Sequence, residues 1–253
     1  MKSPGIVRSP TMPTDPHKRF ALVLAGLFVV VWTVSAISPW YRSDWLLENV
    51  LALLLLPVLV LSYRKMPLSR LSYTCIFLFL CVHELGAHYT YSEVPYDVWA
   101  ESLFGKSVSE LFAWERNHFD RLVHFLYGLL LTYPVREVFL RVADAGGFWG
   151  YLFPLMVVMS SSMSYELIEW AAALTLGGDL GMAYLGTQGD IWDAHQDMWL
   201  ATLGSLCATL IIACVHRALD RDFAREWSES LRVKSQQPLG ETAIAELLES
   251  REK

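Results

Sequence analysis

Charge is what this chain has little of. Lysine, arginine, aspartate and glutamate make up 18% of its 253 residues, against about 25% in an average soluble domain. With 54% hydrophobic residues, an ordinary soluble globule of this length is excluded. Acidic residues outnumber basic ones 26 to 20, for a net charge of -6, so the chain lacks the basic face that nucleic acid requires. Cysteine is also sparse. Cys75, Cys81, Cys207 and Cys214 all fall inside apolar segments, without the spacing of a zinc knuckle or a disulfide framework, and read as small packing residues. There is no internal repeat and no low-complexity tract.

What is present is a series of long apolar runs. Mean hydropathy is +0.33, and six stretches read as membrane-spanning helices: 20–38, 45–63, 71–88, 118–140, 148–176 and 191–219. The expected fold is therefore all-α, a polytopic membrane bundle of about six transmembrane helices. The 10 Trp, 11 Tyr and 12 Phe suit the two membrane interfaces. The first run has the basic lead and the Ala36-Ile37-Ser38 end of a signal peptide. Its length, and Pro39 in the position after a cut, favour an uncleaved span. Residues 1–19, Pro-rich and basic, are expected to be a disordered cytoplasmic N-terminus. Residues 20–218 form the transmembrane domain with an exterior loop at 89–117, and 219–253 a charged cytoplasmic tail of two short helices broken at 236–240.

Basic residues orient the bundle. Lys2, Arg8, Lys18 and Arg19 precede the first span. Arg64, Lys65 and Arg70 lie between the second and third, Arg136 and Arg141 between the fourth and fifth, and Arg217, Arg221 and Arg225 after the sixth. The alternate loops hold few, and the one between the fifth and sixth spans holds none. By the positive-inside rule both termini are expected to be cytoplasmic and the alternate loops exterior, periplasmic if the source is a Gram-negative bacterium.

On that topology the ionisable residues of the apolar segments gather at the exterior side. Each costs about 2.5–3.5 kcal/mol on insertion scales, so such residues are rarely idle. Glu84 and His88 in the third span are four apart and share a face; His83 points about 140° away from His88, so the string is not a zinc-protease HExxH. Asn117, Asp120 and His124 share a face of the fourth span, with Arg121 beside it, free to pair with an acid or to hold a phosphate. Ser162, Glu166 and Glu169 share a face of the fifth, among small serines suited to close packing. Asp190, Asp193 and Asp197 share a face at the start of the sixth. The first two also fit as capping residues, whereas Asp197 lies too deep for that. Glu48 and the Arg136–Glu137 pair are read as lying elsewhere.

Seven carboxylates and two imidazoles at one depth require protons, arginines or cations to offset their repulsion. A divalent metal is the economical answer, and the ligand set fits Zn, Mn, Fe or Mg. The expected metal ligands are His88, Asp120, His124, Glu169, Asp190, Asp193 and Asp197, with Glu84, Glu166 and Arg121 in catalytic roles. The Gly186-Thr187-Gln188-Gly189 loop, just before a helix start, can present N–H groups to an anion.

Several strings resemble the YjdF-like bacterial inner-membrane proteins: His83-Glu84-Leu85-Gly86-Ala87-His88-Tyr89-Thr90-Tyr91, Asp120-Arg121-Leu122-Val123-His124-Phe125 with Gly128, and Tyr133-Pro134-Val135-Arg136-Glu137. So do Tyr165-Glu166-Leu167-Ile168-Glu169-Trp170 and Gly186-Thr187-Gln188-Gly189-Asp190-Ile191-Trp192-Asp193 through Asp197-Met198. The resemblance covers about residues 20–217 and implies a multi-pass inner-membrane protein; it brings no activity with it.

The function expected from the residues is a metal-dependent hydrolase or phosphotransferase acting on a lipid or lipid-linked head group, with Glu84 or Glu166 as general base. Loop 89–117, with Tyr91, Tyr96, Trp99 and Trp114, is expected to lie on the membrane surface as a lid. The partners are membrane lipids, and nucleic acid is not among them. The competing readings are an ion, metal or proton-coupled transporter, and a non-catalytic accessory protein.

Overall fold

A computed structural model describes residues 15–178, 181, 185–219, 223–234 and 240–251. Among the described residues the regular secondary structure is all helical, with α1 at Asp15–Ser35, α2 at Arg42–Ser62, α3 at Arg70–His88, α4 at Tyr96–Phe104, α5 at Val108–Phe112, α6 at Phe119–Val142, α7 at Trp149–Leu176, α8 at Asp193–Ala218, α9 at Phe223–Ser230 and α10 at Glu241–Arg251. Five of them, α1, α2, α3, α7 and α8, are long and apolar enough to cross a membrane. The chain is a polytopic helical membrane protein.

The helix that falls short on apolarity is α6. Its 24 residues carry Asp120, Arg121, Arg136, Glu137 and Arg141. It also sits centrally, packed against α3, α7 and α8. A helix sheathed by its neighbours can carry charge that a lipid-facing helix cannot. That charge is met partly on α3 and partly within α6: Glu137 takes the Ser69 N–H at 2.9 Å and the Ser72 hydroxyl at 2.5 Å, holding the start of α3, and pairs with Arg141, one turn on in α6, at 2.8 Å.

Side-chain pairings fix the direction of each helix. His17 reaches the Leu68 carbonyl at one end of α1, and Ser35 reaches Glu84 at the other, so α1 and α3 run parallel. Trp32 donates to Asn49 and Trp45 to Ser35, which sets α2 antiparallel to α1. Tyr127 meets Ser161 and Phe139 meets Phe153, which sets α7 antiparallel to α6. One end of the bundle thus collects the C-termini of α1, α3 and α7 and the N-termini of α2, α6 and α8. Phe28, Ala52, Leu68, Ile76 and Leu80 form the apolar core between α1, α2 and α3.

The tightest crossing is between α6 and α8. A Cβ on Gly128 would lie 1.9 Å from the Ala201 carbonyl oxygen, and one on Gly204 2.0 Å from that of Phe125. Glycine is required at both, because it alone lets the backbones touch. Thr132 donates to Ser205 at 2.7 Å across the same seam. The pairs Gly128–Ala201 and Thr132–Ser205 have one sequence offset, 201 − 128 = 205 − 132 = 73, so the helices run parallel in register. Carried one turn up, that register sets His124 opposite Asp197.

Two boundaries differ from the sequence reading. Helix α1 begins at Asp15 rather than at residue 20, taking in Pro16 within its first turn, where proline costs no hydrogen bond; residues 1–14 lie outside the described residues. The tail after 218 is in part docked. In α9, Trp227 packs on Phe148 and Tyr151, and Ser230 accepts the Phe148 N–H at 3.0 Å and the Trp149 indole N–H at 2.9 Å. The expected break at 236–240 falls largely outside the described residues.

Candidate metal centre

Asp120 and His124 on α6 and Asp197 on α8 bring one ligand atom each within 4.8 Å of one another. His124 Nε2 stands 3.6 Å from Asp120 Oδ1 and 3.5 Å from Glu166 Oε1. Those gaps exceed the 2.7–3.2 Å of a hydrogen bond. They approach the separation of about 3.3 Å between ligands of a tetrahedral ion with bonds near 2.0 Å. Asp197 is 2% exposed, and its Oδ1 has no hydrogen-bond partner; neither has Glu166 Oε1. Unpartnered buried carboxylate oxygens are costly, and a cation held at this point would satisfy them together.

Further carboxylates surround this set. Glu169 is buried against Glu166 and Tyr165. Glu48 is buried on α2, where Tyr165 donates to its Oε2 at 3.2 Å. Asp120 is the common electrostatic neighbour of Glu48, Glu166, Glu169, Asp193 and Asp197. Among the described residues, no lysine or arginine pairs with Glu48, Glu166, Glu169 or Asp197.

The arginines are used one layer out. Arg116 pairs with Asp193 at 2.6 Å and Asp190 at 3.6 Å, and Arg121 with Asp190 at 2.6 Å and Asp193 at 3.5 Å. Asp190 and Asp193 are thereby charge-matched rather than left to an ion. Asp190 also accepts the Trp192 N–H at 2.9 Å, as a capping aspartate does. That N–H, then Arg121, hold the Asp190 carboxyl below the usual range.

The other expected site residues are placed as follows. Glu84 is fully buried but turned toward α1 and α2. Ser35 donates to it at 2.5 Å and is itself approached by Trp45 at 3.1 Å. It braces three helices and does not join the ligand set. His88 shares a hydrogen bond with the Ser35 carbonyl at 2.9 Å and packs on Tyr89, again on the α1 side. The residues Gly186, Thr187, Gln188 and Gly189 form a wall rather than an anion cradle. A Cβ on Gly186 would lie 3.9 Å from Asp120 Oδ2. The Thr187 carbonyl takes the N–H of Asp190 and Nη1 of Arg116, and Gln188 exchanges two hydrogen bonds with the backbone of Asn117. Gly186 and Gly189 adopt positive φ, +62° and +87°, to make this turn.

Loop 89–117 splits into two layers. Tyr91 is buried, shares a hydrogen bond with His83, and lays its ring on α3 where Gly86 leaves room; a Cβ there would come within 2.7 Å. Burial pushes the Tyr91 phenol well above its ordinary value. The outer layer, α4 and α5, is joined by Asp97, which accepts from Ser109 N and Oγ at 2.9 and 2.6 Å. Tyr96 accepts the His118 N–H, Trp99 packs on Tyr89, and Trp114 packs on His118.

Sequence reasoning set Glu48 apart from the site; the structure puts it inside. The signal was available, since α2 begins at the same end of the bundle as α6 and α8, and Glu48 lies within two turns of that start. Tyr165, the bridge from Glu48 to α7, was also missed; its one mark was its place beside Glu166.

The family described as "Predicted membrane protein (DUF2238)" matches residues 20–218. The chain is 36% identical over 183 residues to "Inner membrane protein YjdF" of Escherichia coli (strain K12), an alignment covering 72% of this chain and 83% of the relative. No solved structure matches.

Proposed function

The chain belongs to the DUF2238 family of predicted membrane proteins, a membership that names a location and no chemistry, and from the site itself we propose that it is a metal-dependent inner-membrane enzyme acting on lipid or lipid-linked head groups. The observation that carries this reading is the convergence of Asp120, His124 and Asp197 with the unpartnered oxygens of Asp197 and Glu166. A divalent ion there supplies Lewis acidity toward a phosphoryl or ester oxygen and acidifies a bound water. Asp120, His124 and Asp197 are its ligands, and Glu166 is the adjacent base or a further ligand. Glu48 and Glu169 lie behind them as further buried carboxyl groups, with Tyr165 between them. The pairs Arg116–Asp193 and Arg121–Asp190 strap the 186–193 segment beside Asp120.

The distribution of acids favours an enzyme over a transporter. Between this cluster and Glu137 near the opposite end, the described membrane helices carry no carboxylate, whereas a proton or cation path needs stations across the bilayer. The test is release or transfer of head groups by purified protein in detergent, against a panel of phospholipids and lipid-linked phosphates. Turnover that is abolished by EDTA, restored by one divalent ion and lost in Asp197→Asn is the expected result. An inert protein whose proteoliposomes pass metal or protons, with that flux lost in Glu169→Gln, contradicts the enzyme in favour of transport.

A further inference from the structure

A cavity of about 580 Å³ lies between α2, α3, α6 and α7, within the range of about 300–1,000 Å³ of small-ligand sites. Asp120, His124 and Tyr165 line it at the metal end. From there it follows α6 to Leu131, eleven residues on, a descent of roughly 16 Å at helical rise. That is about half of a 30 Å hydrocarbon core. Its deep walls are Leu55, Phe79, Leu131 and Val157. Three of the four α7 serines on its wall are internally satisfied: Ser160 and Ser161 return their hydroxyls to the Val157 carbonyl, and Ser164 to that of Ser160, leaving Ser162 as the one with an unpartnered hydroxyl.

The position of the cavity matters as much as its lining. Helix α2 packs chiefly on α3, and α7 on α6 and α8, so one flank of the cavity falls between α2 and α7. Tyr165 and Glu48 bridge those two helices at the metal end; the deeper part of the flank faces the hydrocarbon of the bilayer. The deep part of the cavity is lined by apolar side chains, and such a space costs stability if left unfilled. Its long axis, polar at one end and apolar for the rest, matches an amphiphile lying along the membrane normal.

We propose that this cavity takes one hydrocarbon chain of a membrane amphiphile, entering between α2 and α7, with its head group at Asp120 and His124. The proposal deepens the metal-enzyme reading: it rests on that reading for what happens to the head group, and on the cavity alone for where the chain lies.

The test uses the full chain in phosphatidylcholine nanodiscs with a lysophospholipid carrying a diazirine at mid-chain. A second arm uses an isoprenyl phosphate with the same label, to tell an acyl chain from an isoprenoid one. Cross-links should concentrate on Leu55, Leu131 and Val157 in at least one arm. Leu131→Trp should reduce them roughly tenfold, and Val157→Phe should act in the same direction, while Leu61→Trp on the lipid-facing surface should have no effect. Labelling spread evenly over lipid-facing residues such as Leu61 and Leu210 in both arms overturns the proposal, as does labelling undiminished by a cavity-filling variant that retains the wild-type melting temperature. The same samples are analysed for bound metal. Cavity labelling in a metal-free wild-type protein supports the chain's place and overturns the metal reading alone.

Discussion

Asp197 has two opposite consequences in one side chain. With an ion bound, it is a ligand; without one, it is a buried carboxylate whose Oδ1 has no partner. Asp197→Asn should therefore weaken metal binding by more than the roughly 10–100-fold typical of outer-shell changes. In EDTA the order should reverse, with the variant melting above wild type, because the amide replaces a buried carboxyl group crowded by Asp120, Asp193 and Glu166. Differential scanning fluorimetry of both proteins, with and without EDTA, reads both signs; a variant that melts below wild type in both conditions contradicts the assignment. Asp190 makes a different prediction, because its carboxyl is held below the ordinary range by the Trp192 N–H and Arg121. A depressed folded-state value means its contribution is present above the ordinary Asp value of about 3.9 and is lost as pH falls through the lower one. The 186–193 strap should therefore hold at pH 5 and loosen only in stronger acid, and Asp190→Asn should loosen it at neutral pH. Protease cleavage within that segment as a function of pH measures this.

Among the elements, the α6–α8 crossing does most to place the site. A side chain larger than hydrogen at position 128 meets the Ala201 carbonyl. Gly128→Leu should separate the helices, cost at least the roughly 1–3 kcal/mol of an overpacked core, and lose the ion without touching a ligand. Retained metal content in a folded Gly128→Leu protein contradicts that dependence. This seam also shows where sequence reasoning stops. The apolar runs of α1, α2, α3, α7 and α8 were legible because period and length are local properties. The parallel register of α6 on α8 was not, because a glycine gives no sign of which backbone will press against it. Depth was legible for Glu84 and His88, and rotation was not. Both sit at the right level of α3, but Ser35 draws them to the α1 side. Glu48 is a different case: the hydroxyl that brings it to the site, from Tyr165, is 117 residues away in the sequence.

For the whole molecule, the proposed metal site lies at the end of the bundle opposite the docked helix α9, and the distribution of basic residues predicts both chain termini on the cytoplasmic side. Reporter fusions after Val233 and within 100–110 should report the cytoplasm and the exterior, respectively; an exterior C-terminus contradicts the orientation drawn from the basic residues while leaving the cluster intact. The arrangement also explains why so lightly charged a chain concentrates acids as it does. Arg116 and Arg121 balance Asp190 and Asp193 at the rim, and in the proposed enzyme a cation balances the interior set around Asp120. The most direct test of that claim is elemental analysis of the purified full-length protein, beside Asp120→Asn, His124→Ala and Asp197→Asn. The account predicts a divalent metal in stoichiometric amount in wild type and its loss in all three variants. A wild-type protein that is folded, metal-free and unmoved in melting temperature by added divalent ions contradicts it.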